Sequence, residues 1–543
     1  MVATVNASSS SGASLSFDLA ALGLLPPLAE AFLAGRDRDL LAPLEFLAPG
    51  ALPRPQQALV DRRALATGLA EANSSYGHPL AEAMAAKLAD PTTAVVVTGQ
   101  QPGFLGGPLY TLNKAIAAAR WAAELEAAGR PAVAVFWMAT EDHDFRESSW
   151  AAFNTSEGLK RYDLGEDPQP LMPVGMRSLG PGVESALAEL RRAVPGERFA
   201  AWCDTLEGWY RPTARFGEAF ARLLAHLLGA RCPLLLDSML PAVKQAQRPW
   251  LAETVKQRSE VTAALEAASA AVTERGHPLQ VAPQPGTSPL FFLQGGERRR
   301  IVWDGADAWR LRGVDDGPSR TVAELLAAIE ENPAVVMPGV LVRPVIQDAI
   351  LGSTLQIMGP GEMSYLPQLA ALYGVLNAPA PATALRPQAL VWPDHLAKKL
   401  DRVEVELEAL VAPGFDIDQA TLGDAAEGLL GPAADALARV LAELESAAAP
   451  VAAEMGKALG KTSDQMRRGL DQFESRLTAA LGRADEVRRN RIAGLSQWVR
   501  PEGTLQERAL ATADLPGRYG TDVVEALFEQ LELDGGRLHV VTL

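Results

Sequence analysis

Residues 94–125 read AVVVTGQQPGFLGGPLYTLNKAIAAARWAAEL. The run Val95–Val97 has the composition of a strand buried on both faces, and the stretch after Pro108 reads as a long helix. Between them lies a turn containing Gly99, Gly103, Gly106 and Gly107. Glycine lets the backbone turn sharply and lets a ligand come close. Pro108 suits the first turn of a helix, where its missing N–H costs nothing. A second apolar run, AVAVFWM at 132–138, follows the helix. Strand, helix and strand at this spacing form a βαβ unit with parallel strands, as in a doubly wound sheet. The glycine turn then falls at the carboxyl end of a strand, where open α/β sheets bind ligands.

The turn is not a known phosphate loop. No Gly-Lys pair follows it, and GxGxxG does not match. Where a phosphate loop carries lysine, this chain has Gln100 and Gln101, whose amides both donate and accept hydrogen bonds. Such groups suit a sugar hydroxyl, a carboxylate or an amide; the structural alternative is a glycine turn with solvated glutamines. The second strand runs into MATEDHDF, so Glu141, Asp142, His143 and Asp144 follow directly on an apolar strand. Parallel pairing would bring them beside the glutamines. A carboxylate here suits a substrate ammonium, and His143 is a proton carrier near neutral pH. Asp, His and Asp are also competent metal ligands, but alternate strand residues face opposite ways, so the four cannot converge on one point. A helix N-cap with solvated acids is the plainer alternative.

At 543 residues the chain is long enough for two or three domains. Its 48% hydrophobic and 21% charged residues are ordinary for a globular enzyme. A net charge of −16 disfavours nucleic acid as a partner. Two cysteines, Cys203 and Cys232, make neither a disulfide framework nor a zinc site. The first twenty residues lack a basic region followed by an apolar core, and no run of about 18 apolar residues predicts a membrane span. A cytoplasmic protein that keeps away from membranes is expected.

Residues 1–12 read as a disordered start, and 1–90 as an N-terminal helical part packing on the core. Residues 91–390 read as the α/β core, with inserted subdomains at about 150–230 and 277–320. Within it, CPLLL at 232–236 and VLVRPV at 340–345 read as strands, and LFFLQGGERRRIVWDG as a β-hairpin. Residues 391–495 read as a helical coiled-coil arm. Its apolar seam is Met466, Leu470, Phe473, Leu477 and Leu481, its partner helix carries Leu437, Leu441 and Leu444, and the hairpin turn is expected near Gly456–Thr462. Residues 496–543 read as a segment returning to the core, with RLHVVTL as a closing strand.

A third polar cluster lies in RPVIQDAILGSTLQIMGPGEMSYLPQL. Arg343 suits a carboxylate or phosphate, with a structural ion pair to Asp348 as the alternative. Gly359, Pro360, Gly361 and Glu362 form a tight loop before a helix.

Taken together, TGQQPGFLGGPLYTLNKAI, VAVFWMATEDHDF, SPLFFLQGGERR, RPVIQD, GPGEMSYLPQL and LQER resemble the BshC family of bacillithiol biosynthesis, the cysteine-adding enzymes. The resemblance covers nearly the whole chain. It implies an α/β, Rossmann-like core of the class I synthetase and nucleotidylyl-transferase type, with inserted connecting segments and a C-terminal α-helical coiled coil that forms a homodimer. Gln100 and Gln101 stand where those synthetases carry His-x-Gly-His, and no Lys-Met-Ser-Lys-Ser match exists. The implied reaction joins the carboxyl of cysteine to the glucosamine amine of glucosaminyl-malate.

On that reading the catalytic residues are Gln100, Gln101, Glu141, Asp142, His143 and Asp144. Thr98, Gly99, Tyr110, Lys114, Arg343, Gln347 and Asp348 are expected to bind substrate, with an arginine such as Arg343 anchoring malate. Gly359, Pro360, Gly361 and Glu362 are expected to bind a cofactor, ATP or ADP, with no metal. Forming an amide from a free acid in water is uphill, so an activated cysteine or a nucleotide is required. Two other readings of the residues remain: a related nucleotidylyl transferase, or a non-catalytic nucleotide-binding scaffold with a coiled-coil docking arm.

Overall fold

The computed structural model describes residues 15–55, 60–305, 307–314, 319–422, 430–482 and 485–543. The expected disordered start at 1–12 lies outside these residues. The chain divides into two compact units, one formed by 1–391 with 506–543 and the other by 392–505.

The first unit is organised by a six-stranded sheet. In spatial order its strands are Glu45–Phe46, Ala382–Leu385, Ser353–Met358, Ala94–Gln100, Ala132–Met138 and Leu234–Asp237. Every neighbouring pair is parallel. All seven residues of Ala132–Met138 are buried, as expected of a strand covered on both faces. The helix Tyr110–Ala127 lays Ala117, Ala118, Trp121 and Leu125 against Val96, Ala134, Leu355 and Ile357. At roughly 1.5–3 kcal/mol for each large side chain removed from water, this layer supplies much of the unit's stability.

Close approach requires glycine at Gly99, Gly103 and Gly106 of the turn. A Cβ on Gly99 would lie 2.7 Å from the Trp137 carbonyl oxygen. Gly106 has φ +88°, and a Cβ there would lie 2.6 Å from Thr512 Cβ. Thr512 comes from the end of the chain and braces the turn. Its N–H donates to the Gly107 carbonyl at 2.7 Å, and its hydroxyl to the carbonyls of Gly106 and Pro108.

The hairpin expected in LFFLQGGERRRIVWDG, residues 290–305, is present as Thr287–Gln294 against Glu297–Trp303 in an antiparallel sheet of five strands. The closing segment forms the strand Arg537–Thr542, paired with Ser16–Asp18. So the N-terminal part holds two short strands as well as helices. The strand expected at 340–345 is not formed. The strand is Val336–Pro338, and Arg343–Leu351 is a helix with proline in its first turn. Pro344 has no N–H to give a sheet ladder, and its fixed φ favours a helix start. Gly352, at φ 57°, ends this helix in the left-handed region.

The second unit is helical among its described residues, with Gly431–Ala448 packed on the 31-residue helix Ala452–Gly482. The turn between them is Ala449–Val451, not Gly456–Thr462. Glycine costs a helix only about 1 kcal/mol, so Gly456 and Gly460 stay helical, whereas Pro450 breaks it. On the seam Leu441 is buried, while Met466, Phe473 and Leu481 are 41%, 56% and 41% exposed.

The closing segment is tied down by charge as well as by Thr512. Arg386, just beyond a sheet strand, makes a two-pronged pair with Glu507 through Nη1 to Oε2 at 2.9 Å and Nη2 to Oε1 at 2.6 Å. Both side chains are buried, and Glu507 also accepts from Asn113 Nδ2 and Ala389 N–H. Removing one partner of such a pair leaves a lone buried charge, so Glu507→Ala is expected to lower stability by about 3–5 kcal/mol. Calorimetric unfolding checks this. The double variant Arg386→Met/Glu507→Leu should recover most of the loss, because neither charge is then stranded.

Candidate active site

The carboxyl ends of the parallel strands open into a cleft of about 400 Å³. Gly99, Gln100, Gln101, Tyr110 and Lys114 form one wall, Glu141 and Asp142 the next, and Arg343 with Gly359–Glu362 another. The sequence reading therefore brought most of its candidates to one place.

Lys114 anchors the first wall. Its buried Nζ donates to the Gly99 carbonyl at 2.7 Å, to Gln100 Oε1 at 3.0 Å, and to Glu362 Oε2 in an ion pair. Burial lowers its pKa, and the Glu362 charge opposes that shift. Gln100 completes the link by donating from Nε2 to Tyr110 Oη at 3.4 Å. Glu362 in turn accepts the Gly359 N–H at 2.8 Å, closing the start of the helix Pro360–Ala370. Gln101 bridges to the next loop, donating to the Asp144 carbonyl at 2.9 Å.

The EDHD segment lies in the turn beyond the strand Ala132–Met138, and its four side chains take different partners. Glu141 is buried and ion-paired with buried Lys244. Asp142 lies 3.5 Å from Arg298. Asp144 is not part of the cleft lining and caps a short helix by accepting the Glu147 N–H at 3.1 Å. His143 does not line the cleft either. Arg298 Nη1 lies 3.0 Å from its Nδ1, and guanidinium only donates, so Nδ1 accepts and the proton of the neutral ring sits on Nε2. Burial first, and Arg298 second, lower the pKa of His143 and keep the ring neutral.

Three further candidates lie off the cleft wall. Thr98 is buried and donates to the Ile357 carbonyl at 3.0 Å, so it joins two strands. Gln347 accepts from Arg343 Nη1 at 2.8 Å. Asp348 accepts from Tyr373 Oη at 2.6 Å and from Gln347. The ion pair weighed between Arg343 and Asp348 is absent. Residues five apart on a helix point to different sides, and only three- and four-residue steps face each other.

Sequence reasoning missed Glu147, Arg298, Arg386 and Arg508, all in the cleft wall. Arg298 and Arg508 sit in stretches noted for other reasons, SPLFFLQGGERR and LQER, which were the available signal. Four carboxylates line the cleft. Glu141 is paired with Lys244, Asp142 with Arg298 and Glu362 with Lys114. Glu147 has no side-chain partner among the described residues. Of the cleft cations, Lys114, Arg298 and Arg386 are paired. Arg343 has no carboxylate partner, and Arg508 no hydrogen-bond or ion-pair partner, among the described residues. The unspent charge is two guanidiniums and one carboxylate. Among the described residues no group of three His, Cys, Asp or Glu is arranged to hold a metal, and no helix is long and apolar enough to cross a membrane.

Fold and site together define a Rossmann-like α/β protein with a polar cleft at its strand ends and a helical coiled-coil unit. The chain belongs to the bacillithiol biosynthesis BshC family: the family's N-terminal Rossmann-like domain matches residues 51–387 and its C-terminal coiled-coil domain residues 389–543. Relatives named "Putative cysteine ligase BshC" include one from Solibacter usitatus, 29% identical over 82% of this chain and 84% of its own. Another, from Salinibacter ruber, is 29% identical over 89% of both chains. A third, from Symbiobacterium thermophilum, is 29% identical over 88% of this chain and 89% of its own.

Asp348 provides a test of its structural role. Burial raises its carboxyl to about 6 from an ordinary 3.8. The folded state thus holds this proton more tightly than the unfolded chain, so the contribution of Asp348 to stability falls as pH rises from about 4 to about 6 and is level above that. Asp348→Asn, which keeps an acceptor for Tyr373, is expected to abolish that fall and to leave neutral-pH stability equal or higher by on the order of 2 kcal/mol. Denaturant titrations from pH 4 to 8 measure it.

Proposed function

We propose that this chain is a cysteine ligase that adds cysteine to glucosaminyl-malate, forming the amide on the glucosamine amine in the last step of bacillithiol synthesis. The observation that carries this reading is the pair of unspent guanidiniums, Arg343 and Arg508, facing one cleft. Malate brings two carboxylates, and guanidinium binds carboxylate in a planar two-pronged fashion. Tyr110 and the free oxygen side of Gln101 offer hydroxyl and amide groups to the sugar between them.

Amide formation needs an activated acyl group, and the cleft offers a place for an activating phosphate. The helix Pro360–Ala370 begins at the cleft with Gly359–Gly361, and a helix N-terminus favours an anion. Lys114 and Arg386 lie in the same wall. The Gly359–Pro360–Gly361 backbone would approach the phosphate of ATP or ADP there, with Glu362 closing the turn by accepting the Gly359 N–H, and the nucleotide would supply the driving force for acyl activation.

The expected binding is direct. Malate and glucosaminyl-malate should both bind the wild-type protein in calorimetry, and Arg343→Met or Arg508→Met should weaken each by about tenfold or more, the worth of a charge-assisted pair. Cells lacking the chain should lose bacillithiol and accumulate glucosaminyl-malate. An unchanged thiol pool would sink the proposal.

The exposed seam on Ala452–Gly482 supports a homodimer through the coiled coil, since Met466 and Phe473 lie open on the single chain. Light scattering should give twice the chain mass for the wild type and the monomer mass once residues 433–491 are removed. An unaltered state of association would reject the coiled-coil dimer.

A further inference from the structure

We infer that Glu147 receives the amine of the aminosugar and accepts its proton as the nitrogen attacks. This rests on the reading of the cleft given above. The argument is one of elimination on charge. The substrate amine enters as an ammonium, and four cleft carboxylates compete for it. Glu141 is held by Lys244, buried on all sides. Asp142 gives an oxygen to the His143 N–H at 2.7 Å and faces Arg298. Glu362 accepts from Lys114 and from the Gly359 N–H. Each would have to abandon a cation to take another. Glu147 has no such claim on it among the described residues, and it is exposed within the cleft.

Position agrees. Glu147 stands on the short helix Phe145–Ser148, which the Asp144 side chain caps and Gln101 tethers to the first wall. A carboxylate is thereby placed on a fixed element beside the sugar-facing amide and hydroxyl. The surrounding protein first, then the charges of Asp142 and Asp144, hold its carboxyl above the ordinary glutamate range. That direction suits a proton acceptor working near neutral pH.

The step balances as follows. The ammonium surrenders one N–H proton to a Glu147 oxygen, which frees the nitrogen lone pair. The nitrogen forms the C–N bond to the acyl carbon of an activated cysteine, an acyl group bearing a leaving group. The bond to that group breaks with its electron pair, and the second N–H proton departs with it. His143, behind Arg298 with Nδ1 already engaged, is not required.

Three probes separate this from the reading it rests on: malate, glucosaminyl-malate, and the N-acetylated form of the latter, which has no ammonium. Calorimetry compares wild type, Glu147→Gln and Glu147→Asp. Glu147→Gln should bind malate and the N-acetylated compound as the wild type does, and glucosaminyl-malate about tenfold more weakly. Product formation in extract of cells lacking the chain, supplemented with each protein, should fall by about 10²-fold or more in kcat for Glu147→Gln and be partly restored in Glu147→Asp. If malate binds but Glu147→Gln binds glucosaminyl-malate as the wild type does, or makes product at its rate, the assignment to Glu147 is overturned alone. If the wild type binds neither malate nor glucosaminyl-malate, the reading of the cleft falls, and this assignment with it.

Discussion

A carboxylate near the end of the chain, Glu507, holds the walls of the cleft together. It takes both prongs of Arg386 and a hydrogen bond from Asn113, and so fastens the closing segment to a sheet strand and to the helix that follows the TGQQ loop. Two consequences reach the cleft. Arg508, the next residue, is delivered to the wall with its charge unspent. Four residues beyond Arg508, Thr512 braces the glycine turn from outside, which is why Gly106 has no room for a side chain. A buried ion pair is weak evidence for net stability, but it does fix geometry, because either charge left alone is costly. Here that geometry sets where a residue about four hundred positions away in sequence meets the first βα turn.

The parts legible in the sequence were those encoded locally. Three valines, a glycine turn and a long helix specify the first βα unit within about thirty residues, and the structure follows them. The hairpin read in residues 290–305 and the closing strand were equally local signals. Where two local signals competed, the reading went astray: a β-rich VLVRPV outvoted Pro344, and two glycines outvoted Pro450. In both places proline decided, since it removes a donor and fixes φ, whereas glycine only adds conformational entropy to the unfolded chain.

The site was legible as a place but not as a set of roles. Which polar residue is available to a ligand depends on which has been claimed by another part of the fold. Glu141 and Glu147 look alike in sequence, yet Lys244 from a helix beyond the fourth parallel strand claims only the first. Arg343 and Arg298 are both arginines after apolar stretches, yet Asp142 neutralises only Arg298. His143, the most suggestive residue for chemistry, is spent on Arg298. Pairing of this kind is a tertiary property with no period in sequence.

The same accounting explains the two neutral glutamines in a turn that elsewhere carries a cation. The positive charge is supplied from inside, by Lys114 one turn into the helix, whose Nζ reaches back to the Gly99 carbonyl and Gln100 Oε1. A lysine at position 100 would set two ammonium groups against each other in a buried setting, where a like charge is expensive. Glutamine instead accepts from that ammonium at one end and donates to Tyr110 at the other. The loop is then nearly neutral, and the unpaired positive charge of the cleft sits at Arg343 and Arg508 instead.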